Sequence, residues 1–253
     1  MPESALNRLC VVLVSPRNPL NIGAAARAMS NFGVRRLRVV QPYDVAYREA
    51  RSAVGAADVL AEAEEYADLA TAVADCILVV GTTGLGTREQ QHPLLPLPEA
   101  GQKIMHVLES NPDETLRVAL VFGSEKYGLS TNSLSHCHWR LHIPTLPQNY
   151  SMNLGQAVAV CLYELSRCAQ DASSAKIAHL ANLQPPASAA ELERFVSVFV
   201  EVLHAGNYAS SQAGGNLQEN LRRLVLRLNP SSADVEILMG MLRRVLWKLK
   251  HPQ

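Results

Sequence analysis

The fold of this chain is decided by residues 9–27, which read LCVVLVSPRNPLNIGAAAR. The first six, Leu9–Val14, are apolar without a break, as in a strand of a parallel sheet that is covered on both faces. We predict that Asn21 caps the following helix, because an Asn side chain accepts hydrogen bonds from the free N–H groups of a first helical turn. One face of this helix carries small residues that permit close packing, namely Gly23, Ala24, Ala25 and Ala28. Residues 9–27 therefore predict a strand, a loop and a helix.

The same alternation of apolar runs and helical patterns continues to residue 168. Further strands are predicted at Leu37–Val40, Cys76–Val80, Val118–Phe122 and Trp139–Ile143, and helices at Ala61–Ala74, Glu99–Ser110 and Asn153–Cys168. Gly33 suits the position just past the end of the first helix. Strands that alternate with helices predict an α/β fold with a mostly parallel sheet.

The composition changes after residue 170. Residues 171–188 are rich in Ala and Ser and contain Pro185-Pro186, so we interpret them as a linker. Three helical patterns follow, at Ala189–Leu203, Leu217–Leu228 and Ala233–Leu249. We therefore divide the chain into an α/β domain (1–170), a linker (171–188) and a helical C-terminal extension (189–253).

The formal net charge is zero, with 23 basic and 23 acidic residues, so the total charge indicates no partner. The two ends are basic, with six Arg against one Glu in residues 1–42 and seven basic against three acidic residues in 217–253. Residues 43–134 hold six basic and fourteen acidic residues. This distribution is compatible with an anionic polymer that contacts both ends, and equally with ordinary solvated helix faces.

Five cysteines, at positions 10, 76, 137, 161 and 168, lack C-x-x-C spacing and indicate a reducing compartment without disulfides. No signal peptide is evident, and no apolar run approaches the ~18 residues that a membrane span needs. We therefore expect a cytoplasmic protein with no membrane partner.

Three segments with loop and helix-start character carry the residues of chemical interest. They contain Asn21 with Arg27, Gly123 with Glu125, and Ser151 with Asn153. Because the first two follow predicted strands directly and the third follows the last strand, all three are expected at one edge of the sheet, where α/β folds bind ligands. Each also has an ordinary interpretation: Arg27 as a surface charge, Glu125 as a structural carboxylate, and Ser151 and Asn153 as helix caps.

Other patterns exclude several classes of site. Gly81-Thr-Thr-Gly-Leu-Gly86 departs from the dinucleotide fingerprint G-x-G-x-x-G, so a nicotinamide cofactor is not indicated. Arg88, just beyond it, has the position of a phosphate contact or of a loop cap. His136, His138 and His142 lie near Cys137, but no matching ligand cluster occurs elsewhere and we expect no metal. Neither a P-loop nor a nucleophile elbow occurs.

Taken in order, the three segments closely resemble the three motifs of the SpoU/TrmH branch of the SPOUT methyltransferases. The motifs are N-x-G-A-x-x-R-A at residues 21–28, F-G-x-E-x-x-G-L at 122–129 and S-x-N-L-x-x-A-V at 151–158. Met152 stands where the family usually has Leu, an exchange that conserves volume and apolar character. The tail, at residues 221–224 and 236–242, resembles the C-terminal helices of a tRNA ribose methyltransferase within this branch.

The resemblance implies a SPOUT fold with a C-terminal trefoil knot, an S-adenosyl-L-methionine cofactor bound there, and a homodimer with its active sites at the interface. It places cofactor contacts at Thr82, Thr83, Gly84, Gly123, Glu125, Ile143, Met152 and Leu154. It places catalytic roles at Arg27, Asn21, Glu125, Ser151 and Asn153. RNA contacts are expected at Arg27, Arg88, Arg222 and Arg223.

The implied reaction is 2'-O-methylation of a ribose in tRNA, at nucleotide 32 of the anticodon loop. Two alternatives stay open at this point. One is a ribosomal RNA ribose methyltransferase of the same family, and the other is a catalytically silent dimeric scaffold that binds RNA.

Overall fold

A computed structural model describes residues 5–43, 53–84, 93–111, 113–146, 148, 151–174, 186–208 and 217–251. Its described strands form one sheet in the order β3-β2-β1-β6-β4-β7-β5, and all neighbouring strands are parallel. The strands are β1 (Leu9–Val14), β2 (Arg36–Val40), β3 (Glu64–Tyr66), β4 (Cys76–Thr82), β5 (Leu94–Pro96), β6 (Arg117–Phe122) and β7 (Trp139–His142). The predicted α/β class with a mostly parallel sheet is confirmed.

Helices cover both faces of this sheet and continue into the tail. Those within the α/β part are α1 (Pro19–Asn31), α2 (Ala57–Ala61), α3 (Leu69–Ala72), α4 (Leu97–Ser110), α5 (Thr131–Ser135) and α6 (Leu154–Ser174). Those of the tail are α7 (Ala189–Ala205), α8 (Leu217–Leu228) and α9 (Ser232–Lys250). A short 3-10 helix, Ala5–Arg8, precedes β1.

Strand β1 lies near the middle of the sheet, between β2 and β6, and its first five residues are buried. Side chains alternate between the faces of a strand. Leu9, Val11 and Leu13 accordingly pack in one core cluster with α1, α4 and α6. Val12 packs in a second cluster with α3 and α5 on the other face. The unbroken apolar run thus reflects a strand covered on both sides, as predicted.

The prediction that Asn21 caps α1 is wrong. The cap is Asn18, whose Oδ1 accepts a hydrogen bond from the backbone N–H of Leu20 at 2.9 Å. Pro19 then occupies the first helical position, where a missing N–H costs nothing. Because α1 begins earlier, Asn21 lies within its first turn. Gly33 follows the helix with a φ of 72°, as expected for a residue past a helix end.

The predicted helix at Ala61–Ala74 is also wrong, because tertiary pairing interrupts it. Residues 64–66 instead pair with β2 as strand β3, with Glu64 opposite Arg38. Arg38 is buried and its Nε lies 3.4 Å from Glu64 Oε2, while the same guanidinium binds Asp75. Asp68 then caps a new short helix through a bond from the Thr71 N–H. The local helix preference of this segment is outweighed by an edge-strand pairing.

The three tail helices lie within two residues of their predicted ends. They share a core that includes Leu192, Phe195, Leu221 and Val235. The division at residue 170 stays a prediction: α6 extends to Ser174, and residues 175–185 of the predicted linker lie outside the described residues. The trefoil knot also stays a prediction.

His138, one of the three histidines near Cys137, has a structural contact in the fold. Among the described residues, no group of three or more His, Cys, Asp or Glu side chains is placed to hold a metal ion. His138 is buried, and its Nδ1 accepts a hydrogen bond from the Val79 N–H at 3.1 Å. In the described part of the chain, no helix has the length and apolar character needed to cross a membrane.

The buried His138 makes stability depend on pH. Burial lowers its pKa from 6.5 to about 4. Between those two values the unfolded chain binds a proton that the folded protein does not, so stability falls as the pH falls. We expect this histidine to cost about 2 kcal/mol of unfolding free energy at pH 5 relative to pH 7, measured by urea denaturation.

His138→Asn retains an acceptor for the Val79 N–H but removes the titrating group, so it should lose this part of the pH dependence. His106→Asn, at an exposed site, is the control and should behave as the unmodified chain. An unchanged difference between pH 7 and pH 5 in His138→Asn would contradict the assignment.

Candidate active site

The carboxyl ends of the parallel strands meet at one edge of the sheet, and the three predicted segments converge there. Strands β1 and β6 are neighbours, with Leu13 opposite Phe122 at their ends. The loops that follow them lead to Asn21 and to Glu125. The third segment, with Asn153, reaches the same place because α6 packs directly on α1.

The side chains of these three segments form one hydrogen-bonded chain. Asn153 Nδ2 donates to Asn21 Oδ1 at 2.9 Å, and Asn21 Nδ2 donates to Glu125 Oε1 at 2.8 Å. Asn153 also caps α6, since its Oδ1 accepts from the Gly155 N–H at 2.9 Å. Each Asn therefore acts as donor and acceptor at once, a combination that requires its amide group. These hydrogen bonds join three segments of the chain, and the second and third segments each lie more than 100 residues from the first.

Glu125 is the acceptor at the end of this chain. Its carboxylate also accepts from the backbone N–H groups of Arg17 at 3.1 Å and Asn18 at 3.2 Å, just before α1. Partial burial acts to raise the pKa of Glu125, but the hydrogen bonds from Asn21 and from these two amides outweigh it, and the pKa lies below its usual value. The carboxylate is therefore ionised at neutral pH and positions the loop before α1, which favours a structural over a proton-transfer role.

Two glycines allow the close approach that this arrangement needs. A Cβ at Gly123 would lie 2.1 Å from the backbone carbon of Gly128, so the loop 123–129 folds back with no space for a side chain. A Cβ at Gly155 would lie 2.6 Å from Ala24 Cβ. The second contact brings the start of α6 against α1, which places Asn153 beside Asn21.

A cavity of about 360 Å³ opens beside Glu125. All eight residues predicted to contact a cofactor line it, together with Ser151: Thr82, Thr83, Gly84, Gly123, Glu125, Ile143, Met152 and Leu154. Leu129, the last residue of the second motif, adds apolar surface, as does Leu141, which the sequence did not single out. The volume of the cavity is that of a small-molecule site, and its lining combines apolar side chains with a similar share of polar groups.

Several residues of the cavity have polar groups positioned by the backbone. Thr82 Oγ1 donates to the Val121 carbonyl at 3.0 Å, and the Thr83 N–H donates to the Leu141 carbonyl at 3.0 Å. These bonds hold the end of β4 between β6 and β7. The loop after β4 is therefore fixed by its neighbours up to Gly84; residues 85–92, which include Arg88, lie outside the described residues.

Thr145 lines the cavity and was missed by the sequence reasoning. Its Oγ1 is buried and has no hydrogen-bond partner among the described residues. A buried hydroxyl without a partner costs about 1–3 kcal/mol, a cost that a polar ligand atom would remove. The signal available in the sequence was its place directly after a strand end, between Ile143-Pro144 and Pro147. Lys126 and Tyr127 also line the cavity.

Arg27 does not line this cavity, and its side chain is exposed. It lies six residues beyond Asn21 on α1, which at 3.6 residues per turn turns it about 120° away from Asn21. Asn21 faces Glu125 and Asn153, so Arg27 faces a different direction. The structure separates this arginine from the other residues of the predicted catalytic set.

The predicted RNA contacts at Arg222 and Arg223 need correction, because the structure buries both. Arg222 is 6 % exposed; its Nε and Nη2 each donate to Glu193 at 2.7 Å and its Nη1 donates to Ser135 Oγ at 2.8 Å. Arg223 is 9 % exposed and donates to Glu219 at 3.2 Å. Removing one partner of a buried ion pair is strongly destabilising. Arg222 joins α8 to α7 and to α5, and Arg223 bonds to Glu219 within α8.

The sequence profile of the SpoU rRNA Methylase family matches residues 8–163, which include all three motifs. The chain belongs to the SpoU methylase family. The resemblance seen in the three motifs is thereby confirmed. The matched region contains the cavity at the strand ends and the hydrogen-bonded residues Asn153, Asn21 and Glu125.

Full-length relatives carry a more specific name. A protein of Yersinia pestis (strain Pestoides F), named tRNA (cytidine/uridine-2'-O-)-methyltransferase TrmJ, is 33% identical over 250 residues, covering 98% of this chain and 95% of that protein. The protein of the same name from Klebsiella pneumoniae is 34% identical over 244 residues, covering 95% and 97%. The solved structure of TrmJ from Z. mobilis ZM4 superposes with a TM-score of 0.77 at 29% identity, covering 93% and 98%. These similarities include the tail as well as the SpoU methylase region.

We predict that Glu125→Ala frees the loop before α1. The loss of three acceptor bonds should lower the free energy of unfolding by about 1 kcal/mol, because a partly exposed carboxylate contributes less than a buried one. The Arg17 and Asn18 amides should exchange with solvent about fivefold faster, since 1.4 kcal/mol corresponds to a factor of ten and the expected loss is about 1 kcal/mol. Both effects are measurable, by urea denaturation and by hydrogen exchange.

Lys126→Ala is the matched control, since it truncates the neighbouring exposed side chain and leaves the carboxylate in place. Equal amide exchange in the two variants would show that Glu125 does not hold this loop.

Proposed function

We propose that this chain transfers a methyl group from S-adenosyl-L-methionine to a ribose 2'-hydroxyl of tRNA, at nucleotide 32 of the anticodon loop. The observation that carries the proposal is the bonded chain Asn153–Asn21–Glu125, which joins the three family motifs and ends at Glu125 in the wall of the cavity. Membership of the SpoU methylase family supports the reaction class. The names of the two full-length relatives support tRNA as the substrate and the 2'-oxygen as the position.

The cavity suits the proposed cofactor. Apolar side chains of Leu141, Ile143 and Leu154 offer a surface for the adenine ring, and the buried Thr145 Oγ1 offers a hydrogen bond that the described residues leave unmade. The ionised Glu125 places a negative charge at the wall, which complements a sulfonium cation. The cofactor supplies an electrophilic methyl group; the residues of the cavity bind it and exclude water.

The role of the protein in such a displacement is positioning. The 2'-oxygen, the methyl carbon and the sulfur must lie close to one line, and holding reactants in such a geometry supplies several kcal/mol of the barrier. Asn21, Ser151 and Asn153 are proposed to hold the entrance to the cavity and the ribose. The bond between Asn21 and Asn153 and the bond from Asn21 to Glu125 restrict the rotamers of these two amides before RNA binds.

Arg27 is proposed to grip the phosphate next to the target ribose. A guanidinium stays protonated in proteins, so we assign it no role as proton acceptor. Its planar group can bind a phosphate through two parallel hydrogen bonds. Because Arg27 faces away from the cavity of its own chain, we propose that it serves the cavity of a second copy, in a homodimer.

The first test is direct. The purified chain, S-adenosyl-L-methionine and unmodified tRNA are incubated, and the RNA is digested and analysed by mass spectrometry. We expect one 2'-O-methyl group per tRNA, at nucleotide 32, and none on a tRNA with 2'-deoxyribose at that nucleotide. A methyl group at another position would refute the target.

Two further arms separate the alternatives. Methylation of ribosomal RNA but not of tRNA would replace the substrate class. Absence of calorimetric S-adenosyl-L-methionine binding would refute methyl transfer and favour a silent RNA-binding scaffold.

The second test is Arg27→Lys. A Lys retains the charge but not the planar pair of donors, so we expect turnover to fall about 10- to 100-fold, the equivalent of a charged hydrogen bond of about 1.5–3 kcal/mol. Cofactor affinity in calorimetry should not change. Arg35→Lys, an exposed position just before β2 at the opposite edge of the sheet, is the control. Full turnover in Arg27→Lys would exclude an essential bidentate contact.

A further inference from the structure

Helix α9 has two apolar faces, and only one of them is covered by the described residues. Val235, Met239 and Leu242 pack in the core that α9 shares with α7. A second set of large apolar side chains is between 37% and 59% exposed: Ile237, Leu238, Met241, Val245 and Leu249. A continuous exposed apolar stripe of this kind marks an interaction surface.

Three residues of the stripe, and one charged residue beyond each end of these three, are spaced symmetrically along α9. Asp234, Ile237, Met241, Val245 and Lys248 are separated by 3, 4, 4 and 3 residues. At 100° per residue these five positions lie within about 80° of one another, on one side of the helix. This is the spacing of a seam between two packed helices, in which apolar side chains interlock at intervals of three and four.

Because the pattern is symmetric about Met241, the stripe is complementary to a second copy of itself in the antiparallel direction. With the two Met241 side chains opposite each other, Ile237 of one helix faces the position equivalent to Val245 in the other. The acidic end of the stripe, Asp234, then faces the basic end, Lys248. A parallel pair would place like charges opposite each other, which is unfavourable.

We propose that α9 docks antiparallel on α9 of a second copy of this chain, about a two-fold axis at Met241. Self-complementary surfaces of this kind form closed dimers. The proposal concerns the tail and does not rest on the proposed methyl transfer. Two copies would each contribute the apolar stripe and both ion pairs would form across the seam.

The seam is short, since it covers about four turns. Stable interfaces bury roughly 1,200–2,000 Å² in total, more than one pair of short helices supplies. The α9 pair therefore adds to other contacts between copies, and its test must report on proximity at this site and not on the oligomeric state alone.

Cysteine cross-linking gives such a report. All five native cysteines are buried, so an exposed engineered thiol reacts preferentially. In the full chain, Met241→Cys places two thiols beside the two-fold axis, and mild oxidation should convert most of the protein to a covalent dimer. Arg243→Cys is also exposed but lies about 200° around the helix, and it should form at least about tenfold less dimer in the same time.

The charge at the end of the seam provides a second variant. Added to Met241→Cys, Lys248→Glu would place a carboxylate opposite Asp234 and should slow cross-linking several-fold. Lys250→Glu makes the same change of charge on the far side of α9 and should leave the rate unchanged.

Equal cross-linking of Met241→Cys and Arg243→Cys would overturn the proposal, as would no cross-linking of either. If Met241→Cys stays monomeric in non-reducing gels while Met241→Glu weakens tRNA binding, the stripe is an RNA surface and the proposal is wrong. Neither reading depends on whether the protein methylates RNA.

Discussion

The Glu125 carboxylate at the end of β6 is the contact on which the site depends, because it accepts N–H donors from three residues of another segment. Arg17 and Asn18 donate through their backbones and Asn21 through its side chain. The carboxylate thus sets where α1 begins relative to the end of β6. Strands β1 and β6 are parallel neighbours, about 4.8 Å apart, so their end loops are near enough for one side chain to join them. Asn153 extends the connection to α6.

This frame and the cavity beside it are built from groups with little freedom. Loop 123–129 has no space for a Cβ at Gly123, and the Thr82 hydroxyl is bonded to the Val121 carbonyl. A site held in this way needs little reorganisation when a ligand binds, which favours precise positioning of reactants. Arg27 stands apart, exposed and directed elsewhere, as suits a residue that meets a large external substrate. The rigid hydrogen-bonded group and the exposed Arg27 are thus carried by the same helix, α1, on different sides.

The tail is attached to the α/β part of the chain through the buried Arg222, which forms an ion pair with Glu193. Arg222 links Glu193 of α7 to Ser135 of α5. Burying the two charges costs desolvation free energy, and the short hydrogen bonds that Arg222 makes to these partners offset that cost. Such a pair specifies one arrangement of α8 on the α/β part. Burial of Arg222, and separately of Arg223, leaves neither side chain exposed for a contact with an external partner. The exposed surface of α9 includes a run of large apolar side chains, which suits a protein contact at that end of the molecule.

Local sequence determined a large part of this protein. Apolar runs predicted the strands β1, β4 and β6 and the parallel sheet, and helical periodicity predicted the helices of the tail. These patterns are readable because buried apolar residues recur at the repeat of the strand or helix that contains them. The three motifs indicated the family and the residues of the cavity. What the sequence did not determine depends on partners distant in the chain. Residues 64–66 became a strand because β2 and Arg38 pair with them, and Asn21 joined Glu125 because Asn18 had taken the cap. Arg222 became a buried structural residue through Glu193, a partner that only the tertiary fold brings near, whereas Arg223 pairs with Glu219 one turn away on α8. Helical spacing alone could not show that both arginines are buried, because it cannot distinguish a charge that faces water from one that faces another helix.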